Sequence, residues 1–265
     1  MILRILYYYY KTLWLKNCFK TREQLVAYQQ KRFKKLVKKT LAKVPFYQNY
    51  LDKPFHEWPV INKKIMMEHF AELNTVDLKK ETALDIALKA EKTRDFSPLI
   101  NGIAVGLSSG TSGSRGLFLA SPKERDAWAG IILAKVLPDG LRTKERVAFF
   151  LRANNNLYTN LNKSKTIQFH FFDLLSDFDE HIKRLNPLQP PILSAPASVL
   201  LLLARHKDQL IINPQKIYSV AEVLEAPDEV VIRAAFDCPV SQVYQCTEGF
   251  LAISDKQTNH LVMNE

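Results

Sequence analysis

The apolar positions change period near residue 100, from helical spacing before it to short strand-like runs after it. Between residues 33 and 44 they recur at intervals of three and four, and lysines together with Arg32 take the other side of the predicted helix. These apolar positions are Phe33, Leu36, Val37, Leu41 and Val44. The spacing predicts an amphipathic helix closed by Pro45, and Asn62 has the side chain to start a further helix that runs through His69 and Phe70.

Beyond residue 100, short apolar runs rich in β-branched and aromatic residues alternate with turn residues and helical segments. The strand candidates are 103–107, 147–151, 166–172, 190–194, 217–220 and 240–244, and residues 196–205 have the apolar pattern of a helix. Alternating strands and helices predict an α/β fold in which helices cover a mixed sheet. We therefore expect a helical basic region over 1–100 and an α/β part over 101–265.

Composition narrows the class of protein. The chain has 265 residues, of which 47% are hydrophobic and 24% charged, and this balance excludes a disordered, collagen-like or integral membrane protein. Its three cysteines are too few and too scattered for a disulfide framework or a CxxC metal site. A reducing compartment follows, and we expect a cytoplasmic protein.

The net charge of +10 is concentrated at the N-terminus. Residues 1–53 contain 13 Lys+Arg and 2 Asp+Glu, whereas the remaining residues contain 24 and 25. The nearly neutral body offers no basic stripe, so we expect no nucleic-acid partner. The basic segment is better suited to an anionic surface.

The first 15 residues are apolar and aromatic, interrupted by Arg4 and Lys11. They fall short of the roughly 20 residues that a spanning helix needs, and no small-x-small cleavage site follows them. Two alternatives remain for this arm. It forms either a helix packed on the protein's own core or an interfacial helix through residues 1–20 that holds the protein at the inner face of the membrane.

The segment from Ser108 to Gly116 carries the most chemical information. Three glycines alternate with hydroxyl side chains directly after a strand candidate, and Arg115 adds a fixed charge. Backbone N–H groups and hydroxyls in such a loop can converge on phosphate oxygens. The segment has neither the Gly-Lys-Ser/Thr of a Walker loop nor a GxGxxG fingerprint. A flexible turn between two strands is the alternative.

Two further segments follow strand candidates. Tyr244 to Gly249 places Thr247 beside Glu248 where the chain would leave the sheet, and a carboxylate near a triphosphate usually holds Mg²⁺. Val220 to Glu222 also lies just past a strand. The order of these segments suggests a nucleotide site shared among several strand ends.

Together these segments resemble the adenylate-forming superfamily, and in particular the branch of phenylacetate–CoA ligase, CapK-like proteins and coenzyme F390 synthetase. Five segments carry the resemblance over most of the chain. Leu41–Tyr47 is similar to the family's Val-Pro-Phe-Tyr turn, Trp58–Lys63 to its Pro-hydrophobic-x-Lys segment, Ser108–Gly116 to its phosphate loop, Ala221–Glu222 to its Gly-Ala-Glu motif, and Tyr244–Glu248 to its aromatic-x-x-Thr-Glu motif.

The resemblance implies part of the large N-terminal domain of an enzyme that activates a carboxylic acid with ATP and Mg²⁺, with coenzyme A as a further family expectation. The implied phosphate-binding residues are Ser108, Ser109, Gly110, Thr111, Ser112, Gly113, Ser114 and Arg115. Ala221, Glu222, Tyr244, Gln245 and Cys246 would lie beside adenine. Thr247 and Glu248 would serve catalysis by binding phosphate and Mg²⁺, with Glu248 as the metal ligand.

The chain also departs from the family pattern. Ser114 stands where many members have lysine, and Val220 where the adenine-side motif has glycine. The sequence ends at Glu265, before the family's ribose-binding aspartate and before the small C-terminal domain with its lysine. We therefore expect this chain alone to be weak or inactive. A catalytically dead remnant or nucleotide-binding module is the first alternative, and a peripheral membrane protein acting through the arm is the second.

Overall fold

A computed structural model describes residues 1–108, 115–137, 140–142, 145–152, 167–246, 249–255 and 260–264. The chain divides into two units. The sheet unit comprises Met1–Tyr9 with Glu124–Glu265, and the hairpin unit comprises Tyr10–Lys123. The expected boundary near residue 100 stays a prediction.

The described residues contain the following helices and strands. The helices are α1 (Ile2–Cys18), α2 (Arg22–Lys39), α3 (Lys63–Glu68), α4 (Phe70–Leu73), α5 (Lys80–Thr93), α6 (Pro122–Val136), α7 (Phe178–Leu188), α8 (Ala197–Arg205) and α9 (Ala226–Phe236). The strands are β1 (Ala104–Leu107), β2 (Leu117–Ala120), β3 (Glu145–Leu151), β4 (Ile167–Asp173), β5 (Ile192–Ala195), β6 (Lys216–Val220), β7 (Val240–Cys246), β8 (Gly249–Ser254) and β9 (Leu261–Met263). Within the described residues, no helix combines the length and the apolar character that crossing a membrane requires.

The sheet unit is built on seven strands in the order β4-β3-β5-β6-β7-β8-β9. The first five run parallel, and β8 and β9 are antiparallel to their neighbours. A crossover connection must join parallel strands. Along the chain, α7 lies between β4 and β5, α8 between β5 and β6, and α9 between β6 and β7. This arrangement confirms the expected α/β fold with a mixed sheet and helices.

Alternate residues of the strands supply two separate apolar cores. Leu193 and Ile217 belong to one core, with residues of α7, α8 and α9. Ile192 and Tyr218, their neighbours in sequence, belong to the other, with residues of α6 and the start of α1. Since both faces of the sheet are covered, its strands appear in the sequence as nearly continuous apolar runs.

The start of α1 packs within the sheet unit. Ile5 and Tyr9 are buried beside Ala129 and Leu133 of α6. Arg4 donates a hydrogen bond from Nε to Asp126 over 2.7 Å, and the Asp126 side chain is almost fully buried. Ile5 and Tyr9 of the arm are therefore core residues, as the first alternative for the first 15 residues expects.

The hairpin unit contains α2 to α5 and the antiparallel pair β1–β2. Its core gathers Phe70, Leu78, Ala83, Ala87 and Leu117. The side chain of Asn62 accepts a hydrogen bond from the Ile65 N–H over 2.9 Å, which confirms it as the N-cap of α3.

Two helix boundaries differ from the sequence prediction. The helix expected to reach Pro45 ends at Lys39, and 3₁₀ turns over Leu41–Lys43 and Pro45–Tyr50 follow it. Val44 is extended because the proline ring disfavours the helical conformation of the residue before it. The helix after Asn62 is also interrupted, since His69 leaves helical geometry between α3 and α4.

Candidate functional site

The glycine-rich segment lies between β1 and β2, and hydrogen bonds close its base. The Ser108 N–H donates to the Gly116 carbonyl over 2.8 Å, and the Gly116 N–H donates to the Ser108 hydroxyl over 2.8 Å. The hydroxyl proton of Ser108 can still be donated. Residues Ser109 to Ser114 lie outside the described residues, so their assignment to phosphate stays a prediction.

Arg115 anchors the same base to α5. Its Nε donates to the Ser108 carbonyl over 3.0 Å, and its two terminal nitrogens form a bidentate pair with Glu91, one of them over 2.6 Å to Oε2. The hydrogen bonds that Arg115 donates to Glu91 raise the pKa of Arg115. A carboxylate therefore already balances the charge predicted to contact phosphate.

Helix α3 supports the other end of this base. A Cβ added to Gly116 would lie 2.9 Å from Cε of Met66 and 3.4 Å from Cγ of Lys63. The Leu117 N–H points at the sulfur of Met67, 3.3 Å away. Side chains of α3 thus pack against the backbone at the start of β2.

The chain leaves β6 through a tight turn. The Glu222 N–H donates to the Val220 carbonyl over 2.8 Å, and Ala221 between them has a φ of 65°. This is the hydrogen-bond pattern of a γ-turn with positive φ, a strained conformation for a residue other than glycine. Strained backbone of this kind concentrates at ligand sites.

Helix α8 holds this turn in place. The Glu222 carboxylate accepts a hydrogen bond from the Ser198 N–H over 2.9 Å. Ser198 belongs to the first turn of α8, whose N–H groups have no partners within the helix and attract negative charge. Glu222 therefore orients the turn that precedes it.

Ser219 is a polar residue in an otherwise apolar strand end. It is 2% exposed, and among the residues that the structure describes its hydroxyl has no hydrogen-bond partner. Its backbone lies in register with Ala195 of β5 and Gln242 of β7. A buried hydroxyl with an unused donor lies one residue before Val220, where the turn starts.

The end of β7 is irregular. The pairing of β7 with β8 shifts between Tyr244 and Gln245, and β-bulges often redirect side chains next to active sites. The Tyr244 side chain is 53% exposed, and Cys246 pairs with Gly249, whose φ is 149°. Thr247 and Glu248 lie between that pair, outside the described residues, and their roles stay predictions.

The sheet brings two of the predicted segments together. Strands β6 and β7 are parallel neighbours with Val220 opposite Val243, so the Ala221–Glu222 turn and the Tyr244–Cys246 segment leave the same edge. Ligands of open α/β sheets bind outside this carboxyl edge. Ser108 and Arg115 belong to the hairpin unit.

Three contributing residues were not identified from the sequence. Glu91 lies 24 positions before Arg115 and carries no motif, so only the tertiary structure reveals it. Ser198 contributes a backbone N–H, which any residue there except proline could supply. Ser219 did leave a signal, as a small polar side chain between Tyr218 and Val220 in a buried strand.

The prediction that the chain binds Mg²⁺ rests on Glu248. Within the described ranges, no group of three or more His, Cys, Asp or Glu side chains could hold a metal ion. A carboxylate that binds Mg²⁺ through nucleotide phosphates needs no such cluster, because the substrate supplies the other oxygens. Glu248 has suitable chemistry, and its role as a metal ligand stays a prediction.

Comparison of the sequence with family models and with curated proteins finds no match. Solved structures of 2-hydroxyisobutyryl-CoA ligase resemble the chain. An open conformation with 2-HIB-AMP and CoA is 13% identical with a TM-score of 0.62, and the match covers 88% of this chain and 53% of that chain. The thioesterification state with the same ligands is 13% identical with a TM-score of 0.61, over 92% and 54%. The postadenylation state with 2-HIB-AMP is 12% identical with a TM-score of 0.61, over 88% and 51%.

These likenesses establish the fold. The chain has the fold of part of 2-hydroxyisobutyryl-CoA ligase, and it spans about half the length of the solved structures it matches.

Proposed function

We propose that this chain forms the larger part of an adenylation domain that activates a carboxylic acid with ATP and Mg²⁺. The supporting observation is the strained turn at Ala221–Glu222, which leaves the carboxyl edge of the sheet beside Tyr244–Cys246. The fold around it is similar to that of a ligase solved with 2-HIB-AMP. The branch of phenylacetate–CoA ligase belongs to the same proposal and rests on the sequence motifs.

The reaction needs positioning more than proton transfer. A carboxylate oxygen of the acid attacks the α-phosphorus of ATP, the bond from that phosphorus to the bridging oxygen breaks, and pyrophosphate leaves with the electron pair. No proton moves, so the protein needs to align the reactants and neutralise charge. Mg²⁺ held by Glu248 would supply part of that neutralisation.

Each segment has a distinct task in this proposal. Ser108 and the loop that follows it would donate hydrogen bonds to the phosphates, and Arg115 would fix the base of that loop through Glu91. The Ala221 turn would present its backbone to adenine, with Glu222 as a positioning residue. The exposed ring of Tyr244 would offer an apolar surface to the base. Coenzyme A as the acyl acceptor belongs to the same proposal.

A nucleotide-binding module without turnover is the second candidate function. The pairing of Arg115 with Glu91 favours it, because Ser114 already replaces the family lysine and the remaining predicted cation is engaged by a carboxylate. The two candidates differ in catalysis and share nucleotide binding.

Acid-dependent exchange of labelled pyrophosphate into ATP separates the candidates. Short hydroxy acids, fatty acids and aryl acids are offered in turn to the full chain with Mg²⁺. We expect slow exchange with at least one class of acid. Glu248→Gln should abolish the exchange. Glu225→Gln, the control at an exposed carboxylate near the site, should retain it. Binding of ATP without exchange for any acid would contradict the adenylation proposal and support the second candidate.

A further inference from the structure

An open groove of about 270 Å³ in the hairpin unit has an aromatic floor. The Phe33 and Phe55 rings meet edge to face with centroids 4.7 Å apart, and Trp58 lies 5.8 Å from Phe55. The Trp58 indole donates a hydrogen bond to the Lys53 carbonyl over 3.1 Å, which fixes its polar end. Phe55 remains 64% exposed, so this aromatic surface meets water.

Three lysines form the rim of the groove. Lys34 and Lys38 are one turn apart on α2, and Lys53 lines the groove from the segment after the 3₁₀ helix. All three side chains are exposed, and none of them forms an ion pair with a carboxylate among the described residues. The rim therefore presents positive charge beside an apolar surface.

The positive charge continues on another face of α2. The pKa of Lys11 is lowered, first by burial and then by the charges of Arg32 and Lys35. Residues 10–53 contain 12 Lys+Arg and only 2 Asp+Glu. Cations thus crowd this part of the hairpin unit, and the potential around the groove suits an anionic partner.

An extended partner fits this groove better than a small molecule does. Ligand pockets enclose most of the surface of a small molecule, whereas this groove leaves Phe55 and the lysine side chains in solvent. Aromatic rings at headgroup level with lysines on lipid phosphates are the arrangement of interfacial membrane binding. We propose that the Phe55–Trp58 groove and its lysine rim dock on an anionic phospholipid surface, independently of the nucleotide site.

Sedimentation with vesicles tests this docking. The full chain is mixed with vesicles of phosphatidylcholine alone or with vesicles that also contain about 30 mol% phosphatidylserine. The second composition imitates an anionic leaflet. We expect binding to the mixed vesicles, weakened at high salt because screening acts on the lysine contacts. Absence of binding to the mixed vesicles by folded protein would overturn the proposal.

Charge reversal locates the surface. We expect Lys34→Glu/Lys38→Glu to raise the lipid concentration for half-maximal binding by about tenfold or more, since each lysine near an anionic surface contributes substantially to binding. The matched control is Lys89→Glu/Lys92→Glu, which makes the same change of net charge on exposed residues of α5. An equal effect of both double variants would overturn the assignment to the groove.

The aromatic contribution has its own pair of variants. Phe55→Ser is expected to weaken binding severalfold at high salt, whereas Leu88→Ser, at an exposed position of α5, leaves it unchanged. Circular dichroism verifies that each variant is folded. Binding of soluble short-chain phosphatidylserine without any binding to vesicles would overturn membrane docking in favour of a small-molecule site.

Discussion

At the scale of single residues, Ala221 carries the backbone strain of the candidate site. A left-handed conformation costs an L-residue about 1–2 kcal/mol, and glycine avoids that cost at an entropic penalty of about 0.5–1 kcal/mol. We expect Ala221→Gly to leave the free energy of unfolding unchanged or to raise it by up to about 1 kcal/mol. Urea denaturation measures this change.

Ala87→Gly provides the comparison, because Ala87 is a buried residue inside α5. Glycine there should lower the free energy of unfolding by about 1 kcal/mol or more. Equal losses in both variants would contradict the strained turn at Ala221.

His181 makes stability depend on pH. The ring is buried against Phe150, with centroids 5.0 Å apart, and among the described residues its Nδ1 has no hydrogen-bond partner. Burial, followed by the charge of Arg184, lowers the pKa of His181 in the folded state. Below about pH 6.5 the unfolded chain therefore binds a proton that the folded chain does not.

The free energy of unfolding should accordingly fall as the pH drops from 7.5 to 5.5, by at most about 1.4 kcal/mol per pH unit for this group. In His181→Phe, urea denaturation should show a smaller fall of the free energy of unfolding over this pH range. His56→Gln, at an exposed histidine, should show the same fall as the parent protein. An identical fall in His181→Phe and the parent would exclude His181 as a source of the pH dependence.

At the scale of elements, Gly130 determines how the start of α1 meets α6. A Cβ at this position would lie 2.5 Å from the Ile5 carbonyl oxygen and 2.9 Å from the Tyr9 nitrogen. These are backbone atoms, so a side chain cannot rotate away to make room. Glycine is therefore required by packing, although it weakens the helix itself.

In Gly130→Ala, close packing and helix propensity change the free energy of unfolding in opposite directions. Helix propensity alone would raise the free energy of unfolding by about 1 kcal/mol. Overpacking should reverse this and lower the free energy of unfolding by about 1–3 kcal/mol, with faster tryptic cleavage after Arg4. A stabilised variant would contradict the close packing of α1 on α6.

The elements that the sequence predicted correctly share one physical property. Buried parallel strands must be apolar on both faces, so β3, β5 and β6 stand out as continuous runs. Strand β9 was missed because all three of its residues are exposed. Strand β2 was expected only in the alternative that makes the glycine-rich segment a turn between two strands.

The candidate site was predictable only in part. Turns at the ends of buried strands are visible in the sequence, and Ala221 and Glu222 lie at such an end. The Glu91–Arg115 pair joins residues 24 positions apart, and the Glu222 contact with Ser198 uses a backbone group. Neither contact leaves a pattern along the chain.

At the scale of the whole molecule, the excess of positive charge and the candidate adenine-side residues lie in different parts of the sequence. The basic surplus lies before residue 54, whereas the turn at Ala221 and the end of β7 belong to the nearly neutral remainder. We therefore expect vesicle binding and nucleotide binding to respond to different substitutions. Both candidate functions require that the chain binds a nucleotide.

Calorimetric titration of ATP into the full chain measures this binding. We expect saturable binding that Mg²⁺ strengthens, and about tenfold weaker binding in Glu222→Gln, because a charge-assisted hydrogen bond contributes roughly 1.5–3 kcal/mol. Glu225→Gln should bind ATP as the parent protein does. Absence of ATP binding by the folded chain, with or without Mg²⁺, would contradict the nucleotide site.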